Sequence, residues 1–221
     1  MSRTVLRVVL GRPSPVDARR LLQEAAACAR TLDAELAAMF VQDTNLLRWG
    51  SLPFAQEIGV TSGAVHRADP EALRRFLAGR VNQTRAILAQ VAEGGGLDWS
   101  FTVTQGDLLR EAYAVAPSGP VLLAPPRTFA QHASGWVWPA PARTTVAVLA
   151  SPDTPAGDRA WSTAVRFAGG REEAVTGASL RDLVRGFTPR LLVVPIGVVD
   201  AEPGLLRNVL AAARCPVVLV G

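Results

Sequence analysis

The sequence predicts an α/β fold, and three observations carry that expectation. Short runs rich in Val and Leu alternate with stretches where Ala and Leu recur at helical spacing. Gly and Pro, 19 and 16 residues in all, stand at most of the junctions, which suits tight loops between short elements. A block of strand, Gly turn, helix and Pro-terminated apolar strand also occurs twice. With 221 residues and 49% hydrophobic side chains, the chain can bury a core as one large α/β domain or two small ones.

Residues 4–10 are β-branched and apolar, bounded by Gly11 and Pro13, and predict a buried strand. Residues 16–32 place Leu21, Leu22, Ala25, Ala26, Ala29 and Leu32 on one helical face, with Asp17 near the start. Residues 35–41 predict a second strand, so the first three elements form a βαβ unit with parallel strands. Residues 42–68 show no clean period. Asp69 then predicts a helix N-cap with Pro70 in the first turn, and the helix stops at Gly94-Gly95-Gly96. A strand at 99–103, a helix at 107–116 and a strand at 121–124 follow. After a stretch rich in Pro, Ala and Trp, the pattern restarts. Strands are predicted at 144–149, 173–176, 191–195 and 216–220, with helices at 158–168, 180–187 and 205–213 between them.

The repeat is specific in its residues. Gly106, Leu108-Leu109-Arg110 and Val121-Leu122-Leu123-Ala124-Pro125 correspond to Gly177, Leu180-Arg181 and Leu191-Leu192-Val193-Val194-Pro195. The openings match as well, Val8-Val9-Leu10 and Val146-Ala147-Val148-Leu149 each leading into an Ala-rich helix. The expected organisation is a half at 1–130, a linker at 131–143 and a shortened second half at 144–221, giving tandem doubly wound parallel sheets.

This layout resembles the universal stress protein family, which has an adenine nucleotide alpha hydrolase-like fold. The order of elements carries the resemblance, together with Phe40-Val41-Gln42-Asp43 closing the second strand and Arg214-Cys215-Pro216-Val217-Val218-Leu219-Val220 as a closing strand. The resemblance implies a role in stress response. In nucleotide-binding members it also implies a site for ATP or AMP, built from an acidic residue after the first strand and a Gly-x2-Gly-x9-Gly-Ser/Thr loop after the fourth. Glycines let backbone N–H groups reach phosphates, and the helix that follows favours an anion. Here Gly11-Arg12-Pro13 follows the first strand without a carboxylate. Pro125-Pro126-Arg127-Thr128 follows the fourth without glycine, and its two prolines lack N–H donors. In the second half Asp153 supplies one carboxylate, Gly197 one glycine, and Gly204 falls at the wrong spacing. Gly11, Arg12, Asp153 and Gly197 are the candidate cofactor-binding residues at the strand ends, and the family's loop is lost in both halves.

Bulk properties exclude other classes. The formal net charge is +4 and all 23 basic residues are Arg, which accounts for a pI near 10.3. A charge this modest, with the Arg residues spread out, makes nucleic acid a poor partner. No apolar run reaches the length of a membrane span and no secretory segment opens the chain, so the expected location is the cytoplasm. Cys28 and Cys215 lack metal-ligand spacing and are expected as buried, reduced thiols.

No catalytic constellation emerges. His66 and His132 are expected in solvated loops without ligand spacing, and no metal site follows. Ser14 and Ser51 lack a nucleophile elbow, and Asp43 and Glu57 have no defined cleft in which to pair. Trp136, Trp138, Leu52 and Phe54 are the candidate partner-binding residues, apolar groups in loop-like segments. The expectation is a non-catalytic module that acts as a homodimer or on a protein partner. Two alternatives are an adenine-nucleotide-binding sensor or weak ATPase, and a nucleic-acid-binding protein.

Overall fold

The computed structural model of the chain describes residues 4–11, 14–59, 62–125, 145–150, 154–177, 179, 183, 189–202 and 204–221. Strands β1 (Val5–Leu10), β2 (Glu35–Asp43), β5 (Trp99–Gly106) and β6 (Val121–Leu123) come from the first part of the chain. Strands β7 (Val146–Leu149), β8 (Ala174–Gly177), β9 (Leu191–Pro195) and β10 (Val217–Val220) come from the second. They form one eight-stranded sheet in the order β5-β2-β1-β6-β10-β9-β7-β8. Every pairing is parallel except one: β6 and β10 run antiparallel, with Leu122 opposite Val218. The sequence predicts two parallel sheets; among the described residues there is a single mixed one, joined at that antiparallel seam. A βαβ pattern dictates parallel order within each part, but no local signal shows which edge of one part meets which edge of the other.

Helix boundaries follow local chemistry. α1 (Pro15–Leu32) is capped by Ser14, whose hydroxyl accepts from Asp17 N at 3.2 Å and donates to Asp17 Oδ2 at 2.6 Å. α2 (Thr44–Gly50) is capped by Asp43, α3 (Pro70–Gly94) by Asp69 and α4 (Leu108–Val115) by Asp107, each carboxylate accepting from the first-turn N–H groups. Each such cap contributes about 1 kcal/mol. α3 ends where expected, with Gly95 as C-cap and Gly96 at φ +63°. In the second part α5 (Pro155–Ala168) is capped by Thr154, α6 (Ile196–Ala201) follows β9 without a loop, and α7 (Leu205–Ala212) precedes β10. The helix expected at 180–187 lies almost wholly outside the described residues. The segment read as irregular holds α2 and a hairpin of β3 (Gln56–Ile58) and β4 (Val65–Arg67). Elements this short show too little of either period to be recognised.

The sheet is covered on both faces. Leu6, Val8, Leu36, Phe40, Leu122, Val148, Val193 and Val218 point to a core roofed by α1, α3 and α5. Their alternate neighbours, among them Val9, Val41, Leu123, Ala147, Leu192 and Leu219, point to a second core under α4 and α7. Both are almost wholly apolar, so hydrophobic burial is the main stabilising term. Cys28 and Cys215 are both buried and neither is in a disulfide. Among the described residues no helix is long and apolar enough to cross a membrane.

Candidate functional site

In a doubly wound sheet the natural binding crevice lies outside the carboxyl ends of the strands, where the chain leaves one strand toward both neighbours. Two such points exist. β1 stands between β2 and β6, so one crevice lies beyond Leu10-Gly11 and Ala124-Pro125. β7 stands between β8 and β9, so the other lies beyond Leu149-Ala150 and Pro195-Ile196. The antiparallel seam turns β1 and β9 in opposite directions, which puts the crevices on opposite edges of the sheet. Gly11 and Gly197, read together as cofactor-binding candidates, are therefore in different sites. Arg12 and Asp153 lie outside the described residues.

At the first crevice the start of α4 lies against the end of β1: the space a Cβ would fill at Gly11 borders Leu108 Cδ1, of the first residue of that helix, at 3.7 Å. Asp107 holds that turn by accepting from Leu109 N and Arg110 N, both at 3.0 Å. Sequence reading missed this role of Leu108; an apolar residue directly after a Gly106-Asp107 cap was the available signal. Asp43 is likewise committed, accepting from Asn45 N at 2.8 Å as the cap of α2. It does not meet Glu57, which sits on the exposed hairpin opposite His66. His66 is thus on a strand rather than in a loop, and it remains exposed.

The second crevice has a different construction. β9 ends at Pro195 and the next residue opens α6, so Gly197 lies inside a helix, with the Cβ of Ala156 from α5 3.6 Å from the space its own would fill. The wall at the end of β7 is tied by Thr176 Oγ1, which donates to the Ala150 carbonyl at 2.8 Å. Prolines stand beside both crevices and offer no N–H: Pro195 closes β9, and Pro125 follows the end of β6 by two residues.

Beyond the strand ends, α1 and α3 enclose an open groove of about 460 Å³ lined by Val16, Arg19, Gln23, Gln83, Ile87 and Gln90 among others. Arg19 Nη2 donates to Gln90 Oε1 at 2.9 Å and so links its two walls. No strand end contributes to it. Among the described residues no three His, Cys, Asp or Glu side chains cluster as a metal site would require. Ser14 and Ser51 serve helix ends: Ser14 caps α1, and Ser51 Oγ donates to the Arg48 carbonyl at 2.7 Å.

In fold, the chain is similar to a universal stress protein from Archaeoglobus fulgidus DSM 4304. The superposition has a TM-score of 0.51 at 10% sequence identity and covers 99% of this chain and 96% of that one. At that identity the likeness establishes the fold, and function has to be argued from the site. No family model and no curated protein matches the sequence.

Exposed apolar side chains cluster outside the sheet. Trp49, Leu52, Phe54, Ile58 and Val65 all lie in or beside the hairpin of β3 and β4, and Phe54 is 77% exposed. The hairpin is solvent-exposed on both faces, with Ile58 opposite Val65. Leu52 and Phe54 thus stand where a partner could reach them; Trp136 and Trp138 lie outside the described residues.

Proposed function

We propose that this chain is a degenerate, tandem universal-stress-protein-like module, located in the cytoplasm, that performs no catalysis. It acts in a stress response through dimerisation or by binding a protein partner. The halves are 1–130 and 144–221 with a linker at 131–143, and the second is shortened. The sheet order supports the duplication: β2-β1-β6 and β8-β7-β9 place a central first strand between the same kinds of neighbour in each half.

One observation carries the non-catalytic reading. Leu108 lies against Gly11 at the crevice where a phosphate loop would have to operate, Pro125 follows β6 by two residues, and Pro195 closes β9. Phosphate recognition needs converging backbone N–H groups, and these residues supply bulk and prolines instead.

The test is direct. Purified protein is heat-denatured and the supernatant assayed for nucleotide, and the apo protein is titrated with ATP and with AMP by calorimetry. The expected result is no released nucleotide and no heat of binding. Stoichiometric nucleotide, or binding at micromolar concentration, would replace this reading with a nucleotide sensor or weak ATPase and send mutagenesis to Asp153 and Gly197. DNA or RNA binding with a steep inverse dependence on salt would replace it with a nucleic-acid-binding one.

A further inference from the structure

Among the described residues β5 closes one end of the sheet and is paired on one side only, with β2. The register runs one to one from Leu36 opposite Trp99 to Asp43 opposite Gly106, so no bulge interrupts its eight residues. Leu36 N donates to the Asp98 carbonyl at 3.0 Å, which sets the parity of the ladder. The even-numbered residues of β5 face β2. Trp99, Phe101, Val103 and Gln105 turn their backbone N–H and C=O groups to the open side.

Natural sheets protect such edges with charge, proline, bulges or very short strands. β5 has none of these, and Trp99–Gly106 contains no charged residue. The opposite end of the sheet is guarded: β8 has four residues and follows Glu172 and Glu173. Val103, a large apolar side chain at the middle of the edge, is 47% exposed.

The sequence of the edge is also self-complementary. Thr102-Val103-Thr104 reads the same in both directions about Val103. A two-fold axis at Val103 would pair Val103 with Val103 of a second copy, Phe101 with Gln105, and Thr102 with Thr104. The outward-turned residues become the hydrogen-bonded pairs, as an antiparallel ladder requires. Val103 meets its own copy on one face, flanked by Phe101 and Gln105, the threonines pair on the other, and no like charges oppose each other. Asp98 and Asp107 would face Leu108 and Trp99 of the other copy rather than one another.

We propose that a second copy of this chain adds to β5 in antiparallel register about Val103, an isologous interface that continues the sheet across two molecules. It deepens the dimerisation arm of the function proposed above by naming the surface.

The experiment is light scattering on the full-length chain over a concentration series, for the wild type and for Val103→Lys and Val65→Lys. The second variant places the same charge on the other exposed apolar strand. A wild-type dimer whose dissociation constant rises about tenfold or more in Val103→Lys, and is unmoved in Val65→Lys, is the expected result. Far-UV circular dichroism and thermal unfolding confirm that both variants fold. In parallel, Val103→Cys is oxidised. Across the proposed axis its Cα atoms come within about 5.5 Å, inside the disulfide range, whereas two Gln105→Cys residues lie about 14 Å apart. Cross-linking of the first and not the second supports the register. A wild-type monomer at every concentration overturns both the interface and the dimerisation arm, leaving partner binding. A dimer untouched by Val103→Lys, or broken by Val65→Lys, overturns the interface alone.

Discussion

Arg190 Nε donates to Glu24 Oε1 at 2.5 Å, joining the residue before β9 to the middle of α1, far apart in the chain. Both side chains are mostly buried, so the pair is screened less than a surface bridge. Arg166 makes a second tie, its Nη2 donating to the Leu32 carbonyl at 3.2 Å. Replacing Arg190 with Ala should cost about 1–3 kcal/mol, as loss of a charge-assisted hydrogen bond does. A double-mutant cycle with Glu24→Ala in urea should return a coupling energy of at least about 0.5 kcal/mol. Additive losses would mean that the two residues act separately.

Burial pushes the Cys28 and Cys215 thiols up to about 12, with the Glu24 carboxylate adding to the rise in each. The folded chain therefore holds these protons more tightly than the unfolded one. That stability is fully present below the ordinary thiol value of 9.0 and is lost as pH rises from there toward about 12. The denaturation midpoint should fall between pH 8 and pH 10.5, and the double Cys→Ala variant should show a smaller fall. Native protein at pH 8 should react with a thiol reagent only at the rate at which it opens.

Two glycines should respond to alanine with opposite signs. At Gly119, φ is +148° and an added Cβ would lie 2.8 Å from the Val5 carbonyl oxygen, so Gly119→Ala should destabilise by about 1–3 kcal/mol. At Gly79, within α3, an added Cβ meets nothing within 4 Å, so Gly79→Ala should stabilise by about 0.5–1 kcal/mol. Thermal unfolding of the two variants checks both; a matching sign would contradict the backbone geometry at one of them.

Phe54 and Leu122 stand at opposite extremes of burial. Leu122 is fully buried at the centre of the sheet, and Leu122→Ala should cost about 2–5 kcal/mol. Phe54 stands in solvent, and Phe54→Ser should change stability by less than about 0.5 kcal/mol. A large loss for Phe54→Ser in chemical denaturation would show that its ring supports the fold.

Much of the fold was legible because long elements carry their own signals. β1, α1, β2, α3, α4, β9 and α7 fall within a few residues of the positions that periodicity and caps predict. Asp69 before Pro70, and the Gly94-Gly95-Gly96 stop, act locally and read locally. α2 and the hairpin were not legible, since elements of seven and three residues span less than two periods of a helix or strand. The seam was hidden for a different reason. Leu122 and Val218 are indistinguishable in kind from the residues on parallel strands, so nothing in either segment specifies an antiparallel partner. At the site, sequence identified the missing glycines and the prolines. It could not identify Leu108 as the side chain against Gly11, because that contact depends on where α4 starts relative to β1.

The seam also dictates an order of assembly. β10 is the last strand in chain order, yet it lies mid-sheet with β6 on one side and β9 on the other. Until residues 217–220 are available, a growing chain holds two half-sheets with facing unpaired edges, each a template for the wrong partner. Closing that slot joins residues far apart in sequence, which makes the last step of folding a slow one. A chain cut before β10 would lose its centre rather than its rim, so the strands on either side of the seam should unfold together as a single cooperative unit.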